Sequence, residues 1–584
     1  VEEDLEAHPG RCRHILFKRE DRTMMNRRDL LKTTIATAGA LATGSATSSP
    51  AQAAASSFDI LRKPDLVEAR TETHESLPLH YEGKAWTVPG TRIEAEPQQA
   101  DSHLTLPIFV ESTSGTITHI HLRWRGNSSE SQQVLGDAWE RSYGELSWQH
   151  TDPHRVMPWY FLATNGNVTR GYGVMTQAAA LCFWQCDPEG ISLWIDIRNG
   201  GNAVQLGTRR LKACTVIAHA GAAGQHMQAV ARAFCQRMCP NPRLPKHAIF
   251  GANDWNYAYG KNTAEGILRD ADLIASLAPA GNQRPQIVID DGWQAPKRFP
   301  DLSGLAASLK ARKVQPGIWI RPLRASSDIP QNMLLPQQRF GPGSNRHDLA
   351  FDPTIPQALE HVLDTARQPV SWGYSFLKHD FSTYELFGRW GSEMGANVTA
   401  PGWHFNDRSR TNAEIVNDLY RDLRRAAGDD TTVLACNTIG HLAAGIFESQ
   451  RTGDDTSGRD WERTRRMGVN TLAHRIAQHR TFFHADPDIV ALTRLVPWRL
   501  TQQWMDVVAR SGASLFLAPS PDAIDAEAKA AIRDAMALVV ASTGGYPTDA
   551  TRSTTPQDWT FHSPGIGAKS YRWMADDGAS PFST

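Results

Sequence analysis

Asp380 closes the run Tyr-Ser-Phe-Leu-Lys-His-Asp at 374–380, where a short apolar segment leads to a lysine and, two residues on, to a carboxylate. Side chains alternate along a strand, so Lys378 and Asp380 point the same way. A carboxylate at the C-terminal end of a buried strand, beside a cation, is held ionised and is well placed as a nucleophile. Taken alone, a strand that merely ends in a salt-bridged aspartate is the commoner case. A second acidic cluster, Arg-Thr-Gly-Asp-Asp-Thr-Ser at 451–457, ends another apolar run and contributes Asp454 and Asp455. Two carboxylates on neighbouring strand ends are the machinery of glycoside hydrolysis.

The elements that must position these groups follow from patterning. From 58 to 245 the chain has short β-like runs. The segment Thr-Ile-Thr-His-Ile-His-Leu-Arg-Trp at 116–124 alternates with period two, and Leu-Trp-Ile-Asp-Ile-Arg at 193–198 precedes the turn signal Asn-Gly-Gly-Asn. These predict an N-terminal β-sandwich with a helix leading out over 222–237. From 246 to 545 the pattern becomes strand then helix, repeated. Strands are expected at 249–253, 286–290, 316–321, 374–380, 432–436, 445–449, 481–484 and 513–517. A helix opens at Asn262, with Glu265 three residues later. Eight strands with intervening helices indicate an α/β fold, a (β/α)₈ TIM barrel preceded by the sandwich. The fifth and sixth strands lie too close for a full helix between them. A Gly- and Trp-bearing loop at 387–410 separates the fourth from the fifth, before a helix near Asn412. Residues 546–584 read as a short β-element or a truncated domain.

Polar residues recur at the ends of these strands, where barrel enzymes place their sites. They include Asn-Asp-Trp at 253–255, Asp-Asp-Gly-Trp at 290–293, Trp319 to Arg321, Lys378 to Asp380, Cys436-Asn437, the cluster at 451–455, and His-Ala-Asp-Pro-Asp at 484–488. The Asp-Asp-Gly-Trp, Lys-x-Asp and Arg-Thr-Gly-Asp-Asp motifs, in this order, resemble the α-galactosidase clan of glycoside hydrolases, families twenty-seven and thirty-six, over roughly 250–517. The resemblance implies a retaining exo-hydrolase with Asp380 as nucleophile. It implies that Asp290 and Asp291 bind the sugar at O4 and O6, that Trp255 forms a wall, and that Lys378 and Arg451 are further ligands. Trp319 and Asn437, at the third and fifth strand ends, join the substrate-binding candidates. Two alignments of the sixth-strand motif compete for the acid/base, and Asp454 is preferred, with Asp455 close behind. The Gly-Asp-Asn pattern of related α-glucosidases favours Asp454; counting from the arginine points to Asp455. Cys436-Asn437 stands where the family carries other residues that read the sugar at C2. Related activities on α-N-acetylgalactosaminides, β-L-arabinopyranosides or α-glucosides therefore stay open, as do a transglycosylase and a non-catalytic secreted carbohydrate-binding protein.

The 584 residues exceed a single core, so two or three domains are expected. With 61 basic and 62 acidic residues the net charge is −1, which gives no footprint for a nucleic-acid partner. The seven cysteines show no zinc-ligand layout, so no metal or cofactor is expected. Cys182 with Cys186 and Cys235 with Cys239 are spaced for a disulfide or are buried thiols. Residues 1–53 read as an over-extended start followed by a twin-arginine signal: Asn-Arg-Arg-Asp-Leu-Leu-Lys at 26–32, a weakly apolar stretch at 33–42, and Ala-Gln-Ala at 51–53. No other segment reaches the ~20 apolar residues of a membrane span. The expectation is a mature protein without a membrane anchor, periplasmic or secreted, whose partners are a glycoside substrate and the twin-arginine export machinery.

Overall fold

The structure, a computed structural model, describes residues 59–100, 103–127, 132–562 and 567–579. The expected export signal and Cys12 lie outside these residues. Two antiparallel sheets come first, one of six strands and one of ten, between Leu66 and Ala220. In the strand Ile117–Arg125, His119, His121 and Arg123 face outward, while Ile120, Leu122 and Trp124 are buried. This alternation makes one face of the sheet a core surface. Trp124, Trp159 and Trp184 fill that core, and each of these three indole N–H groups donates to a backbone carbonyl. The helix that leads out is Met227–Met238, which begins later than the sequence suggests because the His226 side chain caps it.

The barrel strands are Phe250–Asn253, Gln286–Ile289, Gln315–Ile320, Phe376–His379, Thr432–Ala435, Ser449–Arg451, His484–Asp486 continued by Ile489–Leu492, and Leu515–Pro519. All pairings among them are parallel. The seventh strand is split. Its first half pairs with the sixth strand and its second half with the eighth, which closes the ring. The break falls at Asp488, whose φ of 74° lies in the left-handed region. Ile249, Val288, Phe376, Leu434, Ile489 and Phe516 pack together inside the barrel.

Three expectations are corrected. The sixth strand lies at Ser449–Arg451, not 445–449, and the seventh starts at His484, not Thr481. The helix expected to open at Asn262 is capped by Thr263, whose side chain accepts from the Gly266 N–H. A single helical turn, Gly440–Ala443, joins the fifth and sixth strands. The helix Asn412–Ala427 carries a full capping box between Thr411 and Glu414. Three short antiparallel strands follow between Gly545 and Ser570. The six described cysteines are buried free thiols. No helix among the described residues is long and apolar enough to cross a membrane.

Candidate active site

The register of the barrel interior sets the site. Side chains two residues beyond an inward-facing core residue also face inward. Beyond Val288 comes Asp290, beyond Phe376 come Lys378 and Asp380, and beyond Leu434 comes Cys436. Trp319 pairs with Lys378 across the third and fourth strands. The Lys378 ammonium donates to Asp290 Oδ2 at 2.6 Å, and Asn253 donates to the same oxygen at 2.8 Å. The other Asp290 oxygen accepts from the Asp291 N–H. The Asp291 carboxylate is partly exposed, and its Oδ1 accepts from Gly292 and Gln294 in its own loop.

Asp380 is buried, and three N–H groups fix its carboxylate. Trp319 Nε1 donates to Oδ2 at 3.1 Å, and the backbone N–H groups of Phe381 and Asn437 donate to Oδ1 at 2.8 and 3.2 Å. Burial works against its charge, but Arg141, Lys378 and the Trp319 bond outweigh that and hold its pKa below the usual carboxylate value. Phe381, the next residue, has a φ of 66°, a region that a bulky residue rarely enters. Its ring is held by Arg321, 4.1 Å from the centroid, and by edge contacts with Trp319 and Trp390.

Asp454 and Asp455 face different partners, as adjacent side chains must. Both oxygens of Asp454 are held by guanidiniums, Arg141 at 2.7 Å and Arg463 at 2.8 Å. Asp455 is more open, with 38% of its side chain exposed against 15% for Asp454. It lies 3.1 Å from Arg451 and 3.5 Å from Arg141. Burial opposes its charge, yet Arg451, Arg141 and Lys378 hold it ionised. Its charge also acts on Asp380. Arg451 is enclosed, bridging Asp455 to Asp488 at 2.9 Å. The left-handed turn at Asp488 thus splits the seventh strand and aims a carboxylate at this arginine. The Asn437 side chain is spent on protein contacts: its amide donates to Glu140, and its oxygen accepts from the Tyr384 N–H. Trp255 is partly exposed and makes an edge contact with Tyr259.

Arg141 and Glu140 were not expected from the sequence. They come from the sandwich, on a segment that lies along the sixth strand end: Ser142 bridges Gly453, the Ser142 N–H donates to the Thr452 carbonyl, and the Asp454 N–H donates to the Ser142 carbonyl. The only trace in the sequence is that Asp-Ala-Trp-Glu-Arg-Ser-Tyr at 137–143 breaks the period-two pattern with charged and aromatic residues. Glu140 is fully buried. It accepts from Tyr143, Asn437 and the Gly391 N–H, and burial raises its pKa against the pull of Arg141. No group of three or more His, Cys, Asp or Glu side chains among the described residues is arranged to hold a metal ion.

Comparison with solved structures gives the same architecture. The chain is similar to an α-galactosidase from Thermus thermophilus in complex with p-nitrophenyl α-D-galactopyranoside, at TM-score 0.55 and 18% identity, over 76% of this chain and 92% of that one. It is similar to a single-substitution variant of the GH36 α-galactosidase AgaA from Geobacillus stearothermophilus in complex with 1-deoxygalactonojirimycin, at TM-score 0.59 and 11% identity, over 85% and 79%. It is also similar to the galactosidase domain of the α-galactosidase-sucrose kinase AgaSK, at TM-score 0.51 and 14% identity, over 85% and 78%. No protein-family model matches the chain. At these identities the likeness is one of fold: a (β/α)₈ barrel preceded by a β-sandwich.

Asp254, beneath Asp290, gives a test of the electrostatics. Burial and the neighbouring Asp290 charge push its pKa up to about 7. An acid whose folded pKa lies above its unfolded value binds more protons when folded. Its stability contribution is complete below pH ~4 and is lost as pH rises through about 7. Asp254→Asn should therefore flatten this loss and be more stable than the parent at pH 8, by about 1–3 kcal/mol. Urea titrations at pH 5 and pH 8 check this, and an unchanged pH slope would refute it.

Proposed function

We propose that this protein is a retaining exo-glycoside hydrolase acting on terminal α-galactosides, with Asp380 as nucleophile and Asp455 as acid/base. The observation that carries the reading is Asp380 itself. It is kept ionised beside Lys378 and Arg141, and N–H donors from three directions fix its carboxylate. A group held in this way needs little reorganisation before attack.

In the mechanism, Asp380 attacks the anomeric carbon and a covalent glycosyl-enzyme forms while the leaving oxygen takes a proton from the acid. The same residue, now a carboxylate, removes a proton from the water that hydrolyses the intermediate. The sequence favoured Asp454 for this role. The surroundings favour Asp455: it is the more open of the two, and its charge acts on Asp380, whereas Asp454 is locked between two arginines. In the free protein Arg451, Arg141 and Lys378 hold Asp455 ionised, so the first step requires Asp455 to take up a proton before the leaving oxygen departs. Esterification of Asp380 removes the negative charge of that carboxylate, so the proton is released more readily in the second step. Asp290, bridged to Lys378, is the first sugar-binding candidate, since a carboxylate only accepts and suits sugar hydroxyls. The export read from residues 1–53 would place this activity outside the cytoplasm.

A panel of aryl glycosides tests the reading. The α-galactoside should be hydrolysed in preference to the α-glucoside, α-N-acetylgalactosaminide and β-L-arabinopyranoside, with the α-anomer of the sugar released first. Preference for another sugar would replace the substrate while leaving the carboxylate chemistry intact; no turnover of any would leave a binding protein. Asp290→Asn should cut kcat/KM on the α-galactoside on the order of 10²–10³-fold, the scale of one lost transition-state contact.

Arg141 is a positioning residue supplied by the sandwich. Arg141→Ala removes a positive charge that keeps Asp380 and Asp455 ionised, so their pKa values should rise. The acid limb of kcat/KM should move to higher pH, and the pH-optimum rate should fall roughly 10²-fold. A fall in rate with an unmoved acid limb would assign Arg141 a merely structural role.

A further inference from the structure

A cavity of about 630 Å³ lies away from the catalytic centre, between the outward face of the six-stranded sandwich sheet and the loop 389–402. Register builds its floor, to which Trp194 and Phe183 of the following row contribute. Glu68, His121, Trp194 and Phe183 are successive cross-strand partners, so their side chains form one row on one face. His121 stacks on Trp194 at 4.2 Å and Phe183 stacks at 6.1 Å. The indole N–H donates to Gln185 Oε1 at 2.8 Å, which fixes the ring. The result is a rigid aromatic strip with polar groups at its rim, the usual make-up of a small-ligand site.

Two arginines of the lining, Arg70 and Arg389, make no ion pair among the described residues. Arg70 lies with its guanidinium 5.9 Å from the Trp194 ring centroid and donates to the His74 carbonyl. Arg389, on the opposite wall, donates to the Asn397 carbonyl. Glu393, whose carboxylate feels Arg389, is taken by a two-pronged pair with Arg346. Arg198 is satisfied by Asp196 at 2.6 Å, and Glu72, the acidic residue of the lining, accepts from the Ala203 N–H. Arg70 and Arg389 thus line the cavity without a carboxylate at ion-pair distance, while Glu72 accepts from a backbone N–H and Glu68, at the end of the row, lies 3.2 Å from His121.

The wall opposite is anchored from its far side. In the same loop, Trp390 stacks on Tyr384 at 4.5 Å and Gly391 is held by Glu140. The cavity is therefore preformed, which lowers the ordering cost of binding.

We propose that this cavity is a second saccharide site, which takes a uronic-acid residue. The sugar carboxylate sits between Arg70 and Arg389, and the sugar body lies along the Trp194 strip. Guanidinium–carboxylate pairing is planar and two-pronged, so a uronate fits better than a neutral sugar. This reading is independent of the catalytic one, because binding is measured without turnover.

Isothermal titration calorimetry of the whole protein with trigalacturonate, and with cellotriose as the neutral trisaccharide, tests it. Trigalacturonate should bind and cellotriose should not. Arg70→Gln and Arg389→Gln should each weaken trigalacturonate binding at least about tenfold, with aryl-glycoside turnover by Arg389→Gln unchanged. Both substitutions lie at the rim, so the test does not depend on disturbing the packed Trp194. No heat with trigalacturonate, equal binding of cellotriose, or undiminished binding by both variants would overturn the proposal.

Discussion

Replacing Asp380 with alanine should lower turnover of an aryl α-galactoside on the order of 10⁴-fold or more, because the step that forms the covalent intermediate is lost. The loss should be in kcat even with a good leaving group, since no remaining carboxylate occupies the end of the fourth strand. Azide should restore part of the rate to this variant and give the inverted glycosyl azide, because the small anion enters the space that the carboxylate leaves. The fold should survive: Asp380 is fixed by N–H donors that water can satisfy, and its charge is a partner to Lys378 that Asp290 already supplies. Thermal unfolding of the variant and proton NMR of the azide product are the two readouts. A retained azide product would assign Asp380 the acid/base role instead.

The second large effect separates Asp455 from Asp454. Asp455→Ala should lower kcat/KM roughly 10²–10⁴-fold for substrates with poor leaving groups, and much less for a dinitrophenyl glycoside that needs no protonation. With the activated substrate, deglycosylation should become limiting, and azide should accelerate it to give the retained product. Asp454→Ala should behave differently. It frees Arg141 and Arg463 from their shared partner, so it should disturb the placement of Asp455 with no dependence on leaving group. If leaving-group dependence and azide rescue appear in Asp454→Ala and not in Asp455→Ala, the two assignments exchange places.

How far the sequence revealed this arrangement depends on what fills each strand. Strands one to five are short apolar runs that end in a polar signature, because their lower residues pack the barrel interior and the residues at their C-terminal ends reach the site. The sixth and seventh were misplaced for the opposite reason. Ser449–Arg451 is polar throughout and His484–Asp486 has Ala485 as its one apolar residue, while the neighbouring Ile446, Phe447, Phe482 and Phe483 supply the apolar signal from outside these segments. The strands richest in functional side chains are the ones whose pattern hides them. Lys378, Asp380 and Asp290 were legible because strand alternation fixes their direction. Arg141 was not, because its contacts with Asp454 and Asp455 join the sandwich to a strand end about three hundred residues later, and local pattern carries no information about such a meeting. The same holds for Asn437: its place at a strand end suggested a sugar ligand, but its side chain is committed to Glu140 and Tyr384.

The central claim is that Asp380 becomes glycosylated during turnover of an α-galactoside. Incubation with an activated 5-fluoro-galactosyl fluoride, which forms the intermediate faster than water removes it, isolates that step. Intact mass should rise by one fluorogalactosyl group per chain, and peptide mapping should place the group on Asp380, with no labelling of Asp380→Asn. A label on any other residue, or a chain that turns over α-galactosides and stays unlabelled, would contradict the account.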